Sequence, residues 1–271
     1  MKKTVLILLL LAIGISGLLL SMNTTQGQQA EQQDLDDVPT VVTRGKFTEK
    51  EKEYSKEYKK LYPDRTEKLG EAVKYAKERK APEVGISLGI PTFPTVSIPP
   101  TATQVLRKLS CQADAVVLGS VESKASHLTE DETWVYTEYD FLVDEVVKDN
   151  LASPIESNNK IQITRPGGLI KLDYQVVRVQ DRLYEQLKKN KKYLLFLKFV
   201  PSTQGYLVSN AKGDFVLQDN HLKSLSHAGI PSDLRSINEY QVVLNNIRSF
   251  AFEDCSQKLN GEALKLMIIK I

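Results

Sequence analysis

The feature that most constrains the fold is an unbroken alternation of side chains over residues 133–147. Successive side chains of a β-strand point to opposite faces, so such a segment presents two different surfaces. One set of positions is the predicted core face: Val135, Thr137, Tyr139, Phe141 and Val143. The other set is the predicted outer face, because it contains two carboxylates: Trp134, Tyr136, Glu138, Asp140 and Leu142. The segment therefore predicts a long strand with one buried side.

Shorter β-rich runs surround this strand and are separated by turn residues. They cover residues 115–121, 160–164, 169–179, 193–200, 206–208 and 214–217, with turns at 165–168 and 212–213. Residues 193–200 are the most apolar run and the predicted central strand. Near the C-terminus, a Ser236/Glu239 capping box precedes apolar residues at helical spacing: Ile237, Tyr240, Val243, Leu244, Ile247, Phe250 and Ala251. The predicted fold class is mainly β, a small antiparallel barrel with a packed C-terminal α-helix.

Four segments resemble uncharacterised exported bacterial domains: residues 111–121, 139–148, 166–168 and 193–197. Those domains look like the OB-type barrel of tissue inhibitors of metalloproteinases and netrin modules. The resemblance covers residues 110–217 and implies an OB-like barrel. In the inhibitors, a cysteine at the mature N-terminus supplies the amine that blocks a protease zinc. Cys111 lies far inside this chain, so that mechanism would apply only if the chain were cut just before it.

The N-terminus has the pattern of an export signal. Lys2 and Lys3 come just before an uncharged apolar run, residues 5–22, which is also long enough to cross a bilayer as a helix. Residues 28–30 form a fair cleavage site, so cleavage is favoured over retention as an anchor. We therefore predict a signal peptide or signal anchor over residues 1–30. The rest of the chain is expected to be exported, whether periplasmic, on the cell surface or secreted, with membrane contact only through this segment.

Residues 31–100 are predicted to form a spacer. Its Gln- and Asp-rich beginning indicates disorder, and the prolines of residues 91–100 indicate a stiff connector. Between them, Thr48 and Glu51 form a capping box ahead of a charged helix. A stripe of residues at helical spacing follows one side of it: Tyr54, Tyr58, Leu61 and Tyr62. That helix either binds a partner or is a solvated helix resting on the domain or on nothing, and the second interpretation is favoured. The spacer would then be a charged helical stalk that presents a β-barrel domain of residues 101–271.

The chain has two cysteines, Cys111 and Cys255. An even pair in an oxidising compartment suggests one disulfide, which would close a loop of roughly 140 residues and restrict the unfolded chain. The alternative is two buried free thiols. Two cysteines this far apart and without histidine neighbours do not form a zinc pattern, so no metal or other cofactor is predicted.

Charge and motifs exclude several classes of function. The formal net charge is +2, which is close to neutral, so nucleic acid is not predicted as a partner. No phosphate-binding glycine loop or serine nucleophile elbow is present. Asp144 and Glu145 are neighbours on a strand and point to opposite faces, so they cannot act as a close acid–base pair. An enzyme is therefore the less favoured interpretation.

The candidate ligand contacts are Trp134, Tyr136 and His127, because an aromatic pair next to the polar turn of residues 127–132 could form a patch on the domain. The duller explanation is aromatic packing along one sheet face. The leading hypothesis is an exported or surface-tethered binding module, whose partner would be an envelope or extracellular protein or glycan. The alternatives are a structural cell-surface component and an envelope hydrolase whose site is assembled from residues remote in sequence.

Overall fold

Strands predominate in the described part of the chain, which confirms the prediction of a mainly β fold. The structure is a computed structural model that describes residues 38–61, 71, 74–75, 78–81, 83–88, 101–181, 183–209, 213–225, 236–237 and 239–251. The helices of these residues are α1 (Glu49–Leu61), α2 (Ala102–Gln112) and α3 (Tyr240–Ala251). The strands are β1 (Thr40–Val41), β2 (Glu83–Leu88), β3 (Ala115–Leu128), β4 (Val135–Lys148), β5 (Lys160–Pro166), β6 (Gly168–Leu172), β7 (Gln175–Asp181), β8 (Lys192–Val200), β9 (Gly205–Val208), β10 (Asp214–Gln218), β11 (His221–Ser224) and β12 (Ser236–Ile237).

Five strands close into a ring through their hydrogen bonds. Strand β3 pairs with β4 and with β8, β4 pairs with β5, and β9 joins β5 to β8. All these pairs are antiparallel except β5–β9, which is parallel. The predicted core face of β4 points into the ring, where Tyr139, Phe141 and Val143 are fully buried. The predicted central strand, β8, has β3 along one edge and both β9 and β10 along the other.

Irregular pairing bends the two longest strands around the ring. The register of β3 against β4 shifts at three places, between residues 116 and 117, 118 and 119, and 121 and 123. Such bulges bend a strand and increase its twist. Gly119 lies at the second shift, and a Cβ atom there would collide with the Leu142 carbonyl oxygen and the Phe141 ring. A glycine is therefore required at this point of the β3–β4 pairing.

The sheet continues beyond the ring through β10, β11 and β12, and two helices cover it. Helix α2 begins at a capping box formed by Thr101 and Gln104. Its buried Leu106 and Leu109 belong to the same core as Leu244 and Ile247 of α3. The predicted C-terminal helix is present, but it begins at Tyr240, and Ser236 is paired with Lys223 as part of β12. The predicted Ser236/Glu239 capping box is therefore wrong.

A second sheet has the order β1–β6–β7–β2. Strands β6 and β7 form a hairpin where one strand was predicted, and the N-terminal segments β1 and β2 add to its two edges in parallel. Its inner face supplies Val84, Ile86, Ile170, Val177 and other residues to a core that also contains residues of α1 and of the start of β4.

The predicted start of the domain at Thr101 is wrong, because part of the predicted stalk is folded into it. Chain contacts divide the protein into Met1–Val38 and Pro39–Ile271. Tyr54 and Tyr58 of α1 are 0% and 3% exposed, and Val84 and Ile86 of β2 are also buried. The sequence did not reveal this because each segment contributes only two described buried apolar or aromatic side chains to the core. Two such residues are too few to form a recognisable pattern in a charged sequence.

The predicted signal or anchor, residues 1–30, and the proline connector, residues 91–100, lie outside the described residues. Within residues 67–80 of the predicted spacer, residues 71, 74, 75 and 78 are helical and residues 79–80 form a turn. Within the part of the chain that the structure describes, no helix combines the length and apolarity needed to cross a membrane.

Candidate functional site

The three predicted ligand contacts lie together on the outer face of the ring. His127 near the end of β3 pairs with Tyr136 at the start of β4, and Trp134 comes just before β4. The His127 and Tyr136 rings are stacked, with centroids 5.2 Å apart and planes 19° apart. We call His127, Trp134 and Tyr136 the aromatic floor. The alternation correctly placed Tyr136 opposite the ring interior, but the prediction of a surface patch is wrong, since Trp134 is 4% exposed and Tyr136 0%.

Helix α1 lies over Tyr136 and also contacts His127 of the aromatic floor. Tyr54 and Tyr58 are four residues apart and therefore lie on one side of the helix. The Tyr58 ring stacks on Tyr136 with centroids 5.0 Å apart, and the Tyr54 ring lies tilted at 5.7 Å. The Tyr54 hydroxyl occupies the space that a side chain at Gly205 of β9 would fill. The predicted helix thus rests on its own domain, and Tyr54 and Tyr58 of the predicted stripe are buried there.

A polar boundary surrounds these aromatic contacts. At one end of α1, Lys50 Nζ lies 3.1 Å from Glu138 Oε2 and also contacts the Gln162 side chain. At the other end, Lys59 Nζ lies 2.8 Å from Asp131 Oδ2. We call Asp131 and Glu138 the acidic rim. Each of these ion pairs is partly exposed and is worth roughly 0–1 kcal/mol, so the rim orients the helix more than it holds it.

Glu51 joins the start of α1 to the aromatic floor. Its carboxylate accepts hydrogen bonds from the Thr48 backbone N–H and hydroxyl, which confirms the predicted capping box, and it lies 2.9 Å from His127 Nδ1. Burial acts to raise the pKa of Glu51, but the hydrogen bonds from Thr48 and His127 outweigh it and lower the pKa. Because the ionised carboxylate can only accept, His127 Nδ1 carries a proton and donates it to Glu51.

Three buried polar atoms of the aromatic floor have no hydrogen-bond partner among the described residues: Trp134 Nε1, Tyr136 Oη and His127 Nε2. Burial is also the main reason why the pKa of Tyr136 is raised and that of Tyr54 is raised to about 12, so both hydroxyls stay protonated donors. A buried polar group without a partner costs about 1–3 kcal/mol. The floor therefore keeps hydrogen-bonding capacity that α1 does not use.

The other titratable residues considered in the sequence take separate partners. Asp144 pairs with Lys192 at 2.7 Å, Glu145 pairs with Arg248, and Asp140 accepts a hydrogen bond from Ser123. His221 is exposed on β11, and His227 lies outside the described residues. Within the described ranges, no group of three or more histidine, cysteine or acidic residues is placed to hold a metal ion.

A buried ion pair lies inside the ring, and no sequence pattern predicted it. Arg165 was assigned to a turn, yet it belongs to β5 and points inward with Ile163. Its guanidinium contacts Asp214 at the start of β10 and lies 5.9 Å from the Tyr184 ring centre. The only sequence signal was its place in the alternation of β5, since residues 161, 163 and 165 share one face. Nothing in the sequence indicated that a charged side chain would occupy the inner position.

The structure does not test the predicted pairing of the two cysteines. Cys111 is the tenth residue of α2 and is not a free thiol. Cys255 lies outside the described residues, so the pairing of these two cysteines stays a prediction.

The site combines three features. A closed ring of strands supplies a rigid base, the aromatic floor supplies flat faces and unused hydrogen-bonding atoms, and the acidic rim supplies charge at two sides. Such surfaces hold amphipathic helices by aromatic anchors at steps of three and four residues.

No protein-family model matches the sequence, and no curated protein matches it either.

Proposed function

We propose that the protein is an exported or surface-tethered binding module that takes up a partner on the outer face of its barrel. The partner class that we expect is an envelope or extracellular protein rather than a nucleic acid, because the chain is almost neutral overall. Export rests on the signal-like N-terminus, and tethering would follow if that segment is retained.

We further propose that the ring is an OB-like barrel. OB barrels have five strands, and the outer face of their second and third strands is a frequent binding surface. Counting along the ring, β4 and β5 are the second and third strands, and α1 lies against residues of both, through Tyr136 of β4 and Gln162 of β5. The likeness of fold only raises the expectation of binding, and the site itself must carry the argument.

The observation that carries the proposal is the docking of α1 on this face. Nine of the thirteen residues of α1 are charged, yet two of its tyrosines are almost completely buried against the ring. A surface that holds so polar a helix has the shape, the aromatic contacts and the charge to recognise a helix. The acidic rim adds orientation, since its carboxylates face lysines at both ends of α1.

The test is retention of a partner from envelope extract of the native host on the tagged full chain. The rim variant Asp131→Lys/Glu138→Lys is compared with the parent and with Glu83→Lys/Glu156→Lys, which reverses two exposed carboxylates outside the rim. We expect a stoichiometric protein, identified by mass spectrometry and then titrated in purified form, to bind the parent and the control but not the rim variant. Equal retention by all three proteins, or no retention by any, would overturn the proposal.

A further inference from the structure

We propose that α1 is a displaceable cover on the aromatic floor, and that the partner is a helix of another protein with the same anchoring chemistry. This helix would carry two aromatic residues four positions apart, basic residues that face Asp131 and Glu138, and a hydrogen-bonding side chain between them. The inference rests on the proposed function, because it names the kind of partner that the same face would take and how access to that face is controlled.

Helix α1 is separate from the backbone hydrogen bonding that closes the ring. The ring is complete through the pairs of β3, β4, β5, β8 and β9. Among the described residues, no backbone–backbone hydrogen bond joins α1 to any strand. Departure of α1 would therefore uncover side chains but would break no strand pairing, so the barrel can persist without it.

The attachment of α1 consists of two buried tyrosines, partly exposed ion pairs, the Glu51–His127 contact and a hydrogen bond from the Glu130 backbone N–H to the buried Ser55 hydroxyl. Its described buried aromatic side chains are Tyr54 and Tyr58. The lysines that reach the rim remain partly in water, since the side chains of Lys50 and Lys59 are 36% and 56% exposed. Ion pairs in such positions are weakened by salt and by the freedom of long side chains. The helix is therefore expected to open locally while the ring stays folded.

The aromatic floor is incompletely satisfied by α1. Trp134 Nε1, Tyr136 Oη and His127 Nε2 are buried and have no hydrogen-bond partner among the described residues. Buried polar atoms in folded proteins almost always find a partner, so atoms that lack one mark a place where another group can bind. A competing helix with an amide or hydroxyl side chain over these atoms would make contacts that α1 does not make. That difference gives such a helix an advantage over the covering segment.

The acidic rim determines which charges the partner helix must carry near its two ends. Burial acts to raise the pKa of Asp131, but hydrogen bonds from Lys59, Thr129 and Thr133 hold it at about 2, so this carboxylate is charged under all ordinary conditions. Glu138 faces Lys50 at the other end of α1. A helix with acidic residues at either of these positions would meet like charges, so the rim selects for basic ends.

Hydrogen exchange on the unmodified full chain tests the displaceable cover. We expect backbone amides in the last two turns of α1 to exchange at least 100-fold faster, after correction for intrinsic rates, than those of β8. Exchange of the α1 amides as slow as that of β8 would mean that the helix leaves only on global unfolding, and would overturn the proposal. This measurement needs no variant, so it remains decisive even if substitutions in α1 prevent folding.

A fluorescent peptide of residues 47–61 tests the chemistry of the occupant. We expect it to bind the full chain carrying Tyr54→Ala/Tyr58→Ala at least 10-fold more tightly than the parent, whose own helix competes. A peptide with both tyrosines replaced by alanine should not bind. A peptide with Lys50→Glu/Lys59→Glu should bind only when the protein also carries Asp131→Lys/Glu138→Lys. Equal binding of the unmodified and Lys50→Glu/Lys59→Glu peptides to the Tyr54→Ala/Tyr58→Ala protein would overturn the proposal. So would the absence of binding of the unmodified peptide to that protein when its β8 amides stay protected from exchange.

Light scattering tests whether the occupant of the aromatic floor is another protein or a second copy of this chain. A concentration-dependent dimer that the peptide dissociates would assign the floor to another copy and would overturn the assignment to another protein. The peptide and exchange measurements do not depend on an envelope ligand. If the retention experiment fails and the peptide experiment succeeds, only the proposed function is rejected. If the retention experiment succeeds and the peptide experiment fails, only the displaceable cover is rejected.

Discussion

Arg165 Nη1 lies 2.7 Å from Asp214 Oδ2 inside the ring of strands, and neither side chain exposes any surface. The pair joins β5 of the closed ring to the beginning of β10, the first strand beyond it. Two other guanidinium nitrogens, Nε and Nη2, have no hydrogen-bond partner among the described residues. Desolvation of this pair is therefore only partly offset, and we expect it to contribute more to the specificity of strand placement than to net stability.

Removing one member of this pair should destabilise the protein far more than removing both. Asp214→Leu or Arg165→Met leaves a buried charge without a partner, for which we expect a loss of about 3–5 kcal/mol in the free energy of unfolding. The double variant Arg165→Met/Asp214→Leu leaves no charge, so its loss should be at least about 2 kcal/mol smaller than the sum of the single losses. Urea denaturation of the four proteins measures this coupling, and additive losses would contradict it.

The same pair should give stability an unusual dependence on pH. Burial raises the pKa of the Asp214 carboxyl from 3.8 to about 6, against the opposing attraction of Arg165. Because the folded state then binds the proton more tightly than the unfolded state, the contribution of this group is fully present below pH 3.8. It is lost as the pH rises through about 6. Relative to Asp214→Asn, the parent should gain about 1 kcal/mol of unfolding free energy between pH 8 and pH 5.

Parallel denaturation series for the parent and Asp214→Asn at these two pH values provide the measurement. The difference between the two proteins cancels the titration of the other carboxylates, several of which have lowered pKa values and act in the opposite direction. A difference that is constant from pH 8 to pH 5 would mean that Asp214 titrates alike in the folded and unfolded chains.

The alternation of β4 predicted the faces of the strand but not what lies over them. Tyr139 and Phe141 are in the core inside the ring, as expected, and Tyr136 points to the opposite side. An alternation with a period of two residues assigns each side chain to one face of the sheet or the other. It does not indicate which part of the chain covers either face. The cover on Tyr136 comes from Tyr54 and Tyr58, about 80 residues earlier in the chain, and no local pattern carries that information.

Short strands were missed for a related reason. Strand β2 contributes Val84 and Ile86 to the core, and β1 has only two residues. Both depend on pairing with the β6–β7 hairpin, which lies roughly 90 to 130 residues further along the chain. Local propensity is too weak to specify such strands, because their stability comes from side-chain packing and from the partner strand. The longer β8 and the apolar side of α3 were predictable, since each carries its own pattern.

Gly168 marks the contact between the second sheet and the ring, and a side chain there should not be tolerated. Its φ is +151°, and a Cβ atom would collide with Ser126 Oγ and Thr137 Oγ1. Gly168→Ala should lower the free energy of unfolding by about 2 kcal/mol or more, since backbone strain and overpacking add. Gly85→Ala is the matched control, because a Cβ atom at Gly85 meets no atom within 4 Å and the change should cost less than about 0.5 kcal/mol. Thermal denaturation of both variants measures the difference, which equal losses would contradict.

Gly205 and Tyr54 provide the most specific test of how α1 sits on the ring. A Cβ atom at Gly205 would collide with the Tyr54 hydroxyl, while its other neighbours, the Gln162 carbonyl oxygen and Thr203 Oγ1, are 3.4 and 3.5 Å away. Gly205→Ala should therefore push Tyr54 outward and speed hydrogen exchange in α1 by about 10-fold or more, equivalent to at least about 1.4 kcal/mol. Tyr54→Phe removes the colliding oxygen and keeps the ring that packs on Tyr136.

The double variant Gly205→Ala/Tyr54→Phe should consequently recover most of the lost protection in α1, while Tyr54→Phe alone has a small effect. Amides of β8 serve as the internal control, since the collision concerns only the side chain of α1 and the first residue of β9. Rescue would show that the aromatic contact seen here positions α1 in solution. If Gly205→Ala leaves exchange in α1 unchanged, or if its effect simply adds to that of Tyr54→Phe, then α1 occupies another position on the ring.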